Sequence, residues 1–92
     1  MSIDVSALVD EEKWVFEIKK ETFGAQDMNQ LIGYMIASDS VKGVVFSPHV
    51  LDNAKKQLEY WREALVEDID IEFWDGEHTQ FKTVMNAYVE VK

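Results

Sequence analysis

Cysteine is absent from this chain of 92 residues, and proline occurs only once, at Pro48. Without thiols there is neither a disulfide framework nor a thiolate metal site, a composition compatible with a reducing compartment. Glycine is also sparse, with four in all, so the chain carries little local punctuation. No apolar stretch approaches the ~20 residues of a membrane-spanning helix. The opening "MSIDVSALVDEEK" lacks the basic-then-apolar order of a signal peptide. These absences lead to the expectation of a soluble, cytoplasmic protein. Basic residues are scarce too: nine Lys and Arg stand against eighteen Asp and Glu, for a net charge of −9. That total weighs against nucleic-acid binding, which draws on counterion release by Lys and Arg. Local charge at a site and a bound divalent ion nevertheless count for more there than the total.

What is present is the material of a core. Apolar residues make up 47% of the chain, and three Trp, three Tyr and five Phe exclude wholesale disorder. The length suits a single domain over residues 1–92, able to bury roughly 60–65% of its unfolded surface.

Along the chain, "IDVSALV" (3–9) and "KWVFEIK" (13–19) read as strands joined by the polar turn "DEE", a hairpin. Between about residues 25 and 38 the apolar positions are Met28, Leu31, Ile32, Met35 and Ile36, the spacing of an amphipathic helix. "VKGVVFSP" (41–48) has the Val-rich form of a buried, parallel strand, stopped by Pro48. Leu51, Ala54, Leu58, Trp61 and Leu65 predict a second helix over 50–66, with Asp52 and Asn53 in its first turn. "IDIEFWD" (69–75) alternates Ile69, Ile71 and Phe73 inward as a strand. "QFKTVMNAYVEVK" fits helix and strand about equally, with a lean to a strand at its end. The order β-β-α-β-α-β predicts an α/β domain in which two helices flank a mixed sheet.

One polar group interrupts this pattern. On a strand, Glu17 and Lys19 point to the same side while Ile18 points to the other. An adjacent strand can bring Asp4 beside them. Two carboxylates and the Ile18 carbonyl are hard oxygen donors of the kind Mg²⁺ takes, with water completing its shell. Such an ion acidifies water for attack on a phosphodiester, and Lys19 can orient that water and stabilise developing negative charge. Gln30 and Tyr34, one turn apart, share a helix face. Asp10 competes with Asp4 for the carboxylate role, but it falls in the predicted turn.

Asp4, then Glu17-x-Lys19 in the D-x12-E-x-K spacing, then Gln30-x-x-x-Tyr34 on the following helix together resemble the PD-(D/E)xK nuclease superfamily. The RecB-type branch, with its QxxxY motif, and the small archaeal mismatch-endonuclease type are the most similar. The likeness extends through "VKGVVFSPHVLDNAKKQLEYWREALVEDIDIEFWD" and so covers nearly the whole chain. It implies a restriction-endonuclease-like minimal core and a Mg²⁺- or Mn²⁺-dependent nuclease acting on DNA. It further implies metal ligation by Asp4, Glu17 and the Ile18 carbonyl, catalysis assisted by Lys19, and contacts from Gln30 and Tyr34 to phosphate or sugar. Lys20 would add at most a backbone phosphate contact.

The bland readings stand beside these. Glu17 and Lys19 alone would be a strand-edge ion pair, and Tyr34 an aromatic at the core boundary. His49 reads as a solvated loop residue, and His78 has no partner motif. Most of Trp14, Phe16, Trp61, Phe73 and Trp74 belong in a core, with Trp74 out of phase and suited to an interface. The family's leading helix is missing before the first strand, which predicts a two-fold homodimer burying Trp74 or the region of Tyr88. A dimer or a larger protein partner would supply substrate choice. The competing function is a non-catalytic acidic module that binds a basic protein, as an inhibitor or nucleic-acid mimic.

Overall fold

The computed structural model describes residues 2–74, with the backbone alone for residues 2–5. The expectations for the tail, His78 and Tyr88 lie outside the described residues. β1 (Ser2–Val9) and β2 (Glu12–Lys19) form the expected antiparallel hairpin, with Val9 opposite Glu12 and Ser2 opposite Lys19. Their connection is two residues long, and Asp10 and Glu11 have φ of 51° and 70°. Positive φ at both positions matches the twist of the flanking strands. It costs Glu11 about 1 kcal/mol, because a left-handed Cβ crowds the next carbonyl.

After the short β3 (Thr22–Phe23), α1 (Ala25–Ser38) carries the chain back to β4 (Lys42–Phe46), which is parallel to β2. β5 (His49–Val50) pairs in parallel with β3, and α2 (Asp52–Leu65) leads to β6 (Ile71–Trp74), parallel to β4. The main sheet is mixed and four-stranded, in the order β1-β2-β4-β6. The small β3–β5 sheet was not expected, since two-residue strands carry no periodicity. None of the described helices is long and apolar enough to cross a membrane.

The helix layer covers one face of the sheet. Val15, Val45, Ile71 and Phe73 meet Met28, Leu31, Ile32 and Met35 of α1 and Ala54 and Leu58 of α2. The predicted stripe on α2 is thus used mainly within the domain, and Leu51 and Leu65 remain on the surface. Gly43 of β4 permits this close approach: a Cβ there would lie 2.8 Å from Met35 Sδ and 3.3 Å from Ile71 Cγ1.

The other face gathers Val9, Phe16 and Val44, with Ala7, Trp14 and Trp74 around them. Trp74 does leave the helix-side core, as its phase predicts, and its ring lies 6.0 Å from Phe16 and 6.5 Å from Phe46. Lys42 sits 4.7 Å above the Trp14 ring and 2.8 Å from Glu72. Phe16 and Val44 are buried within the single chain.

Candidate active site

The β1–β2 register sets Asp4 directly opposite Glu17. Positions paired this way share one face of the sheet, with Cβ separations of about 4.5–5.5 Å. That face is the helix side, because Val15, two residues before Glu17, belongs to the helix-side core. Lys19 follows on the same face. Ile18 lies on the opposite face, its main chain bracketed by Ile3 in β1 and Phe46 in β4. Asp10 sits in the turn at the far end of the hairpin, which removes it as a partner for Glu17.

Glu17 is only 5% exposed, unusual for a carboxylate in so small a domain. A carboxylate buried to this degree needs charge or hydrogen-bonding partners to remain ionised. Lys19 reaches across to α1, where its Nζ donates to Asp27 Oδ1. The second oxygen of Asp27 accepts the Gly24 N–H at 2.8 Å. Asp27 is the third residue of α1, where a carboxylate reaching back to the residue before the helix satisfies one of its unpaired N–H groups. Asn53 Oδ1 accepts another, from Ala25, at 3.1 Å and so ties the start of α2 to the start of α1. Burial works to raise the Asp27 carboxyl, but the Gly24 N–H and the Lys19 ammonium outweigh it and hold the group below its usual 3.8.

Asp27, Gln30 and Tyr34 recur at i, i+3 and i+7 and form a polar edge beside the apolar seam of α1. Gln30 is exposed, and the Tyr34 hydroxyl lies 3.0 Å from Ser6 Oγ on β1. The helix-side positions of β1 before Ser6 are Asp4 and Ser2 by alternation. The structure thus brings the Asp4, Glu17 and Lys19 positions to one face beside the QxxxY edge. It directs the Lys19 ammonium to Asp27, a partner that sequence reasoning missed. The signal was present: an aspartate three residues after Gly24, at the start of an amphipathic run, is a helix-start signature.

His49 is exposed, and its N–H donates to Ser47 Oγ at 3.2 Å. That contact is structural. Among the described residues, no cluster of three or more carboxylate or imidazole side chains could hold a metal ion. No protein-family model matches the chain, and no curated protein is a match for its sequence.

Proposed function

We propose that the chain is a metal-dependent nuclease with a restriction-endonuclease-like minimal core, hydrolysing DNA phosphodiester bonds. The observation that carries this reading is the register that sets Asp4 opposite Glu17, with Lys19 on the same face and the Gln30–Tyr34 edge of α1 alongside. Two facing carboxylate positions fit a small, hard divalent cation, which takes oxygen ligands. Asp4, Glu17 and the Ile18 carbonyl would hold it, and when bound it supplies Lewis acidity at the phosphate and a more acidic water.

The protein's own side chains do the rest. Lys19 places a positive charge beside the scissile phosphate, where it stabilises the charge that develops on the phosphoryl oxygens. Asp27 fixes where that ammonium can reach. Gln30 and the Tyr34 hydroxyl, both at the surface, offer donors to phosphate or sugar oxygens. Lys20, Lys55 and Lys56 are exposed and offer further cations for a backbone phosphate.

Calorimetric titration with Mn²⁺ and Mg²⁺ tests the proposal before any cleavage assay. The wild-type chain is expected to bind one divalent ion, and Glu17→Gln to lose it with its circular dichroism unchanged. Absence of binding at millimolar metal, or equal binding by Glu17→Gln, refutes the metal site and with it the nuclease.

A further inference from the structure

A second feature lies at the opposite end of the strands, where both helices terminate. Here a groove of about 400 Å³ runs between the end of α1, the end of α2 and the segments entering β4 and β6. Its walls include Ile32, Met35 and Ile69 from the core and Ile36, Val41 and Leu65 from the surface. Ile36 and Val41 are 57% and 50% exposed, so the core leaves a continuous apolar strip uncovered.

The rim of this strip is acidic, formed by the exposed Asp39, Glu67, Asp68 and Asp70. The nearby cations already have partners within the chain. Lys13 Nζ donates to the Ser38 carbonyl at 3.0 Å, and Arg62 donates to the Ile69 carbonyl at 3.1 and 2.8 Å. Lys42 lies 2.8 Å from Glu72 and 3.8 Å from Asp70. Among the described residues no ion pair engages Asp39, Glu67 or Asp68. The carbonyl ends of two helices add partial negative charge, offset in part by Lys13 at the end of α1 and by Arg62 in the last turn of α2.

We infer that this groove docks a cationic amphipathic segment of a partner protein, with its apolar ridge on Ile36, Val41 and Leu65 and its Lys or Arg side chains at the rim. The apolar contact supplies most of the affinity, because exposed ion pairs contribute little. The carboxylates choose the partner by excluding anions and speeding the approach of cations. A second copy of this chain would set one acidic rim against another, and an anionic membrane or nucleic acid would be repelled in the same way. The inference does not depend on the nuclease reading, since the groove and the Glu17 site share no residue.

The test uses the ¹⁵N-labelled full chain and a Leu/Lys peptide about four helical turns long, with leucines at i, i+3, i+4 and i+7. Controls are the same composition in scrambled order and a Leu/Glu version. Binding is expected for the amphipathic Leu/Lys peptide alone, with amide shifts concentrated at Ile36, Asp39, Val41, Leu65 and Asp68. Ile36→Ser should weaken it about tenfold, the effect of losing one partly buried aliphatic contact. The Asp39→Asn/Asp68→Asn double variant should weaken it and flatten its salt dependence. Equal binding by the scrambled peptide, shifts spread equally to the Asp10–Glu12 turn, or no binding at all overturns the inference. Occupation of the same residues by a second copy or by anionic vesicles overturns it as well.

Discussion

Replacing Asp27 separates two contributions that one carboxylate makes. Its Oδ2 accepts the Gly24 N–H at 2.8 Å, and its Oδ1 accepts from Lys19. A hydrogen bond that satisfies a helix-start N–H is worth about 1 kcal/mol. The ion pair, with side chains 25% and 19% exposed, is worth about 0.5 kcal/mol after solvent screening. Asp27→Ala removes both and should cost about 1.5 kcal/mol. Asp27→Asn keeps an oxygen for Gly24 and should cost only about 0.5 kcal/mol. For a domain of this size the two correspond to melting temperatures lower by about 6–12 °C and about 2–4 °C. Thermal unfolding followed by circular dichroism at pH 7 measures both. The pH dependence supplies a second readout. Because the folded carboxyl titrates below its usual 3.8, its stabilisation is fully present above that value and is lost as pH falls through the folded one. Wild type should therefore lose its advantage over Asp27→Asn in acid. Equal losses for the two variants at pH 7, or an advantage that persists below the folded titration, would refute the division.

Gly43→Ala should destabilise by about 1–3 kcal/mol, since its methyl meets Met35 Sδ and Ile71 within the packed layer; denaturant midpoints check it. Ser47→Ala should cost about 1–3 kcal/mol, because the fully buried hydroxyl donates to the Glu21 carbonyl at 3.0 Å and accepts from His49 at 3.2 Å; chemical unfolding at constant slope is the measure. The Lys42 ammonium, more than the opposing burial, holds the Glu72 carboxyl below its usual 4.5. Its contribution to stability is thus present above pH 4.5 and declines as pH falls through the folded value, and carboxyl-carbon NMR should show Lys42→Met moving that titration upward.

The first helix was legible to the residue because four of its five predicted apolar positions, Met28, Leu31, Ile32 and Met35, are the ones it buries. Ile36 extends the same periodicity yet faces solvent, since nothing in a 3.6-residue repeat says how wide the covering surface is. β6 begins at Ile71 although Ile69 continues the alternation, because the Ile69 carbonyl is taken by Arg62. On β1, Asp4 and Ser6 alternate with Val5 and Ala7, so its polar face could be read directly. The pairing of the Glu17 and Asp4 positions follows from hairpin register, whereas the turning of Lys19 toward α1 depends on a helix start that no strand pattern reveals.

The chain's three tryptophans are divided by the sheet. Trp61 lies in the helix layer, its indole N–H held 2.7 Å from Asn29 Oδ1, while Trp14 and Trp74 occupy the other face with Phe16 between them. Intrinsic fluorescence is therefore two optical probes in one molecule. A Trp14→Phe/Trp74→Phe chain emits only from the α1–α2 seam, and a Trp61→Phe chain only from the opposite face. If both curves fall at one denaturant concentration, the domain unfolds as a single unit; if the seam dims first, the helices peel from a sheet that is still standing.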